Sequence, residues 1–550
     1  MKKISTYTTV SLLTLLMFVA TNGVTVQAQT TTTTTTSQKT TQTREVQTQP
    51  MELPNVIIEG KEQLNVRGGI KQYPEKTRRL TDAELDSINP TQKLQALLLP
   101  MKTMPKIMIN KEYKKGYLRG SIGNYTSANA LGGYEYTKRE YTFLGKAYLD
   151  YTDGHVKDSD HFGLGVDGKV IYIAPKKFWI FGGSKTTGTL KLDNYSYNMY
   201  GMDTAVDRNA FNFGLGIHSE GQYSGYSFKT GADLDVFSLK HSGKSKTDGS
   251  GEGFLNISKK FDNLEANALG DIEFHSNGGN STNLLTFGAG VRFQPNDMSF
   301  DLNFAFQSAG SSESVERGNI KIDAGFDYRI SPDFTVKVQL ETGFIDADMQ
   351  SLWLTNHFIS NTPVIDYAFN KEIKGYLLYH PTQKLMVSGG VKIAATSRFA
   401  YFVPDEKNIY EVEYADANNI GLFAKAVYNL TDKDIVFGEF LLESRSFSEG
   451  DENNIPFIPK STISAAYDRN WTDKFSSHVM LKYVGKRYAD VENKIKMDPY
   501  LNAGIGVGYK VNSDFKIFAN IDNLFNSEIY IWDKYKERDL FFNAGVLWHF

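Results

Sequence analysis

Cysteine is absent from this sequence, and proline is scarce, at 15 of 550 residues. The lack of cysteine excludes a disulfide-stapled scaffold and a lipid anchor on an N-terminal cysteine. No run of 18 apolar residues occurs after the N-terminal region, which excludes transmembrane helices. A net charge of −3 gives no electrostatic reason to expect nucleic acid as a partner.

The N-terminal residues predict export. Lys2 and Lys3 precede the apolar run VSLLTLLMFVA, and a small-residue site follows that ends at Ala28. This is the pattern of a secretory signal peptide, and the run is too short to cross a bilayer. We expect four regions: a signal peptide (1–28), a threonine-rich disordered linker (29–50), a short periplasmic or plug-like segment (51–111) and an outer-membrane barrel (112–550).

Aromatic residues and glycine are abundant, with 31 Tyr, 36 Phe and 47 Gly. Apolar residues alternate with polar residues or glycine in 319–330, 334–344 and 501–510, which is the two-residue period of β-strands. Aromatic residues at strand ends are typical of the girdles of membrane barrels. Candidate girdle residues are Tyr488, Tyr500, Tyr509, Tyr530 and Trp532.

Tight polar turns give the strand count. They are predicted around Lys138, Pro175, Gly221, Asp262, Pro295, Pro332, Pro381, Asp432, Asp473 and Ser513. Each turn joins two strands, and a first and a last strand complete the set. The sequence therefore predicts an all-β fold, a transmembrane antiparallel β-barrel of about 22 strands, with 18 to 22 as the working range.

The last strand has one apolar face, formed by Phe542, Ala544, Val546, Trp548 and Phe550. We expect this strand to close the barrel against the first one, which would leave no free edge. A terminal outward-facing aromatic also looks like the signal by which outer-membrane barrels are recognised for assembly. Phe542, Val546, Trp548 and Phe550 are the candidate signal residues.

The C-terminal third resembles the TonB-dependent receptor barrels. The stretches PFIPKSTISAAYDRNW, MLKYVGKRY, IFANIDNLFNSEIY and RDLFFNAGVLWHF follow the family pattern in order and spacing. The most recognisable residues are Asn523, Leu524, Phe525 and Asn526, with Arg538, Gly545 and Phe550 near the end. The lack of cysteine and the abundance of tyrosine and asparagine suit a Bacteroidetes-like member. The resemblance implies a barrel of about 22 strands around a plug. It also implies import of metal chelates, cobalamin or oligosaccharides, energised by an inner-membrane complex.

The N-terminal region departs from the family. Segment 51–111 has about half the length of a family plug, so we expect the plug to be truncated or missing. Within it, Val56, Ile57 and Ile58 form a short apolar, β-prone run. Three interpretations stay open: a TonB box that pairs by strand addition, a plug-like docking strand, and incidental packing.

Two predicted extracellular loops are rich in aromatic residues. Loop 346–365 contains Trp353 and Phe358, and loop 398–417 contains Phe399, Tyr401, Phe402, Tyr410 and Tyr414. These rings suit contact with a ligand or partner, and they equally suit packing among the loops themselves. A third, basic and glycine-rich loop around Lys244 is expected to be solvated.

Nothing in the sequence favours an enzyme. The nine histidines are scattered without metal-ligand spacing, and we expect no cofactor and no metal site. His161 and His218 lie beside apolar strand residues and would need a serine or carboxylate neighbour to act in catalysis. Three functions remain: ligand uptake through a receptor, a barrel subunit of a larger envelope complex, and a passive porin. Expected partners are outer-membrane lipid, the TonB complex, and a surface lipoprotein or another envelope protein.

Overall fold

The computed structural model describes residues 114–178, 181–277, 280–311, 317–345, 348–449 and 453–550. These residues form 26 strands and one short helix. The strands are β1 (Gly116–Gly123), β2 (Ser127–Lys138), β3 (Tyr141–Thr152), β4 (His161–Ile173), β5 (Lys185–Asn198), β6 (Asp207–Tyr223), β7 (Tyr226–His241), β8 (Lys244–Phe261), β9 (Leu264–Asn277), β10 (Asn280–Phe293), β11 (Met298–Ser311), β12 (Arg317–Ser331), β13 (Phe334–Ile345), β14 (Ala368–Thr382), β15 (Leu385–Pro404), β16 (Tyr410–Thr431), β17 (Asp434–Phe447), β18 (Ser461–Asn470), β19 (Phe475–Val484), β20 (Arg487–Tyr488), β21 (Lys496–Met497), β22 (Tyr500–Lys510), β23 (Phe515–Asp522), β24 (Tyr530–Trp532), β25 (Tyr535–Lys536) and β26 (Phe541–His549); the helix is α1 (Met349–Thr355).

Twenty-two of the strands form one closed antiparallel barrel. β1 pairs with β2 on one side and with β26 on the other, so the sheet has no free edge. The other four strands form two small hairpins, β20–β21 and β24–β25, in loops. The predicted strand number and the closing role of the last strand are confirmed, whereas the assembly-signal interpretation of Phe550 stays a prediction.

The two ends of the barrel differ. We call the end that carries the turns after the even-numbered strands β2 to β18, and the turn between β22 and β23, the short-turn end. All ten predicted turns lie there, inside a connection or within a few residues of one. The opposite end, the long-loop end, carries the connections 346–367, 485–499 and 523–540. Residues typical of tight turns therefore predicted the positions of the connections at one end of the barrel.

The two faces of the barrel wall follow the alternation in the sequence. In β26, Phe542, Val546 and Trp548 are exposed on the outer face, whereas Asn543 and Leu547 are buried on the inner face. An apolar outer face is what a lipid bilayer requires of a barrel. Exposed aromatic side chains also gather near the short-turn end: Tyr134, Tyr136, Tyr141, Tyr223, Tyr226, Phe261, Phe293, Tyr379, Tyr428, Trp471, Tyr509, Trp548 and Phe550.

Only one of the five candidate girdle residues has the expected position. Tyr509 is exposed on the barrel strand β22, whereas the exposed Tyr530 and the half-buried Tyr488 lie on the loop hairpins β24–β25 and β20–β21. Tyr500 and Trp532 are instead buried, at 7% and 2% exposure, in a cluster at the long-loop end. Their assignment to the lipid interface was wrong because loop packing, which sequence spacing does not reveal, competes for the same aromatic residues.

Two segments expected as loops are largely strands. β15 and β16 have 20 and 22 residues, so only 405–409 remains a loop within the expected 398–417. A membrane crossing needs only about 9–11 residues, so this hairpin extends well beyond the bilayer. Likewise, the basic segment around Lys244 forms the ends of β7 and β8, joined by a tight turn at Ser242 and Gly243.

The loop 346–365 contains the helix α1, which the sequence analysis did not anticipate. Asp348 caps it, since the Asp348 carboxylate accepts from the Ser351 amide at 2.5 Å and the Ser351 hydroxyl accepts from the Asp348 amide at 3.2 Å. This reciprocal capping stabilises a helix of only seven residues. No helix in the described residues is long and apolar enough to cross a membrane.

Candidate functional site: the loop cap

A buried apolar cluster lies at the long-loop end. Its residues come from α1 and the chain after it, from the β15–β16 hairpin tip, from segment 453–460, from the connections 485–499 and 523–540, and from the inner faces of β5–β7. We call this cluster the loop cap. Its central side chains are Tyr197, Leu239, Met349, Leu352, Trp353, Phe358, Ile359, Phe402, Tyr410, Phe457, Met497, Tyr500, Ile531, Trp532 and Tyr535.

The loop cap bridges opposite sides of the barrel. β6 and β16 are ten strands apart in a ring of 22, so they face each other across the mouth. Residues of both strands belong to the one cluster. Two hydrogen bonds join the sides: Arg208 Nη2 donates to Ile359 O at 2.6 Å, and Asn408 Nδ2 donates to Gly201 O at 3.0 Å. The loops therefore extend across the barrel mouth.

Stacked rings form the centre of the cap. The rings of Phe358 and Tyr535 stack with centroids 3.5 Å apart. Tyr410 and Phe457 each pack against Trp532, at 5.2 and 4.8 Å. Aromatic pairs in such arrangements add about 0.5–1.5 kcal/mol beyond the area they bury, so these contacts favour the closed arrangement of the loops.

Four polar groups in this aromatic core have partners on segments that are distant in sequence. Trp353 Nε1 donates to Tyr197 Oη at 2.8 Å, and Tyr197 Oη donates to His357 O at 2.5 Å. Tyr535 Oη donates to Asn408 O at 2.9 Å. Tyr410 Oη donates to Asp533 O at 3.1 Å. These bonds fix the relative positions of loops that are far apart in sequence.

His357 is a titratable group that lies against the aromatic side chains of the cap. Its ring lies 4.4 Å from that of Trp353 and close to those of Tyr195 and Tyr197. Burial, with a smaller contribution from the charge of His161, lowers the pKa of His357 to about 4. His357 is therefore neutral at pH 7, since a positive charge would be poorly solvated among these rings.

The predicted aromatic loop residues divide into two groups. Trp353, Phe358, Phe402 and Tyr410 belong to the loop cap, and Tyr414 packs against it. Tyr414 Oη donates to Val364 O at 2.9 Å. Tyr401 and Phe399 lie in a neighbouring cluster instead, together with Phe447 and Ile455. In this closed arrangement, these side chains pack mainly against one another; a role in contacting a ligand or partner stays a prediction.

The family-motif residues Asn523, Leu524, Phe525 and Asn526 begin the connection 523–540. Asn523 is 2% exposed, and its side chain bonds to Ser527 N, Ser527 O and Arg538 O. Asn526 Oδ1 accepts from Leu540 N at 2.8 Å. Both asparagines have positive φ, which asparagine tolerates better than most residues. The motif thus shapes the loop that carries Trp532 and Tyr535.

Sequence analysis missed a set of buried donors in and beside the cap. Arg208 and Arg487 are each 2% exposed, and each guanidinium donates to one carbonyl, Ile359 O and Tyr530 O respectively. Within the described residues, Nε and Nη1 of both arginines and Nε1 of Trp532 have no acceptor. Unsatisfied buried donors of this kind are uncommon in proteins.

The histidines that were considered for catalysis lie in inner-face pairs. His161 Nε2 is 3.0 Å from Asp150 Oδ2, and His218 Nε2 is 2.6 Å from Asp233 Oδ2. Neither ring has a serine partner among its hydrogen bonds in the described residues. In the same part of the chain, no group of three or more His, Asp or Glu side chains could hold a metal ion. Absence of catalysis stays a prediction.

The remaining candidate residues, Val56, Ile57 and Ile58, lie outside the described residues, as do the signal peptide, the linker and segment 51–111. Their predicted roles stay predictions.

Known structures resemble this barrel over most of its length. The ferric-catecholate import receptor Fiu from E. coli K12, closed form, matches with a TM-score of 0.62 at 10% identity, covering 80% of this chain and 82% of that one. The FrpB iron transporter from Neisseria meningitidis matches with 0.65 at 9% identity and the same coverages. The ferric yersiniabactin uptake receptor FyuA from Yersinia pestis matches with 0.62 at 9%, covering 80% of each chain.

The barrel has the fold of the TonB-dependent receptors. No family model matches the sequence, and identities near 10% carry the fold alone. The fold expected from the C-terminal motifs is confirmed across the described barrel. The matched structures are named as import receptors and an iron transporter.

Proposed function

We propose that this protein is an outer-membrane receptor that takes up a ligand through its barrel. The long-loop end faces the outside, and the short-turn end, where the described chain begins, faces the periplasm. The proposed cargo is of the metal-chelate class, because the similar structures carry the names of ferric and copper import proteins. We thus infer that this protein shares a function with the structures whose fold it shares.

The loop cap is the observation that carries this proposal. A 22-stranded barrel is about 40 Å across at its backbone, wide enough for an aqueous channel unless something fills it. Here, packed aromatic loops extend across the mouth from β5–β7 to β15–β16. A passive porin needs an open mouth, whereas a receptor needs loops that enclose a ligand and then release it inward.

Energy for uptake would come from the TonB complex, with Val56, Ile57 and Ile58 as the segment that pairs with it. Deleting residues 51–60 should abolish energy-dependent metal accumulation while leaving the amount of barrel in the membrane unchanged. The measurement is the cellular metal content by mass spectrometry after chelator depletion, in cells with and without the deletion. Unchanged accumulation would contradict the role of this segment.

A co-purification experiment separates the receptor from a subunit of a larger complex. The protein is tagged at the exposed turn 432–433, outer membranes are solubilised in mild detergent, and stoichiometric partners are identified by mass spectrometry. A receptor should co-purify with no constant partner. A fixed set of lipoproteins or other envelope proteins would contradict the proposal and favour a complex subunit.

A further inference from the structure

Three basic residues lie side by side on the inner face at the long-loop end. Arg208 of β6 pairs directly with His241 of β7, and His241 pairs with Lys244 of β8. Directly opposed residues of antiparallel strands share a face, so their side chains are neighbours. We call Arg208, His241 and Lys244 the basic row.

Arg208 anchors the basic row from inside the protein. Its side chain is 2% exposed, Nη2 donates to Ile359 O, and Nε and Nη1 have no acceptor in the described residues. The carboxylate of Glu411 accepts a hydrogen bond from the Ser360 hydroxyl and acts on Arg208 through its charge. Nδ1 of His241 is also buried without a partner in this part of the chain.

A fourth basic side chain comes from across the barrel mouth. Lys407 lies at the tip of the β15–β16 hairpin, which Asn408 holds against Gly201 beside β6. The positive charges of Arg208 and Lys407 both act on His241, which places the three groups near one another. Lys244 and Lys407 are exposed. The site therefore runs from a buried guanidinium to a solvent-accessible rim.

We propose that the basic row and Lys407 bind a dissolved oxyanion of the phosphate type. Arg208 is a buried guanidinium with two nitrogens that have no acceptor in the described residues, and leaving buried charged donors unsatisfied is costly. A tetrahedral oxyanion supplies several acceptors and a negative charge, and guanidinium groups bind such anions with two parallel hydrogen bonds. Membrane lipid cannot reach the site from the outer face, because Arg208 points inward with Ala210 and Asn212.

Bound in this position, the anion links β6, the β7–β8 hairpin and the β15–β16 tip. It thereby contacts the same loops that form the cap, from two sides of the barrel. Anion binding by the basic row and Lys407 does not require the proposed uptake function. A purified protein with no transport activity would still bind the anion.

Isothermal titration of the purified full-length protein with inorganic phosphate in chloride-free buffer tests this inference. The wild-type protein should bind about one phosphate, with Kd on the order of 1 mM or lower. Arg208→Gln should weaken binding at least about tenfold, because a charged bidentate donor is lost. The double variant Lys244→Gln/Lys407→Gln should weaken it severalfold without disturbing a buried contact.

Lys433→Gln is the matched control, since Lys433 is an exposed lysine at the short-turn end. It should bind phosphate as the wild type does. The double variant still decides the test if Arg208→Gln fails to fold, as judged by its circular dichroism. No phosphate binding by the wild type would overturn the inference. Equal binding by the wild type and the double variant, or equal weakening in the control, would overturn it too.

Discussion

Trp353 contributes to the cap in two ways. Its ring is 8% exposed, and it packs against Phe237 and His357, with centroids 5.4 and 4.4 Å away. Its indole N–H donates to Tyr197 Oη, 156 residues away in sequence. A single side chain thus joins α1 to the inner face of the barrel wall.

Trp353→Ala should destabilise the closed cap by about 3–5 kcal/mol, because it leaves a cavity and an unpaired tyrosine hydroxyl. Amide hydrogen exchange of residues 349–359 should accelerate, while exchange in the barrel strands should not change. Trp471→Ala is the control, since Trp471 is 51% exposed at the short-turn end. Equal exchange in the wild type and Trp353→Ala would show that this ring does not hold the cap.

His357 makes the cap sensitive to acid. In an opened cap, the pKa of His357 would return to about 6.5, whereas in the closed cap it is about 4. The open state binds more protons between these values, so closure is favoured above pH 6.5 and weakened as the pH falls toward 4. The effect is at most about 3 kcal/mol, and less to the extent that the ring meets solvent.

We therefore expect cap opening, followed by tryptophan fluorescence, to increase as the pH falls from 7 to 4.5. His357→Gln should remove most of this dependence, because glutamine has no charge to gain. His380→Gln, at the short-turn end, should keep it. A wild-type signal that is independent of pH across this window would contradict the assignment.

The sequence predicts the structure of some segments of this protein better than that of others. The turns at Asp262, Pro332 and Asp432 were predictable because turn chemistry is local. The strands of the wall were predictable because alternation marks their two faces. The cap was not, because its contacts join residues such as Arg208 and Ile359, 151 positions apart, and no periodicity relates them. Even α1 was missed, since seven residues carry too little pattern.

The segment around α1 is the element on which cap closure depends most directly. Replacing residues 349–358 by a glycine-serine linker of equal length should open the mouth, because Met349, Leu352 and Phe358 leave the cluster together. Cells with this variant should become several times more sensitive to a large hydrophilic antibiotic that the intact outer membrane excludes.

The matched control replaces Lys157 and Asp158 by glycine and serine; both are exposed in the connection between β3 and β4 at the long-loop end, and neither belongs to the apolar cluster. It should leave sensitivity unchanged. Equal sensitivity in both variants would mean that closure does not depend on α1.

Taken together, the described residues form a barrel wall and a lid, which is the loop cap. The wall is a continuous antiparallel ring whose every strand is paired on both sides. The lid consists of loops that pack against one another and against the inner faces of β5–β7. The proposed uptake requires this division, because the lid has to rearrange while the wall remains closed.

The conductance of the purified full-length protein in planar bilayers shows directly whether the loops close the barrel mouth. A barrel capped by its own loops should show little or no steady current, with brief openings that become frequent in Trp353→Ala. A large, stable current in the wild type would contradict the account, since it would mean that the loops do not close the mouth and that the protein is a passive pore.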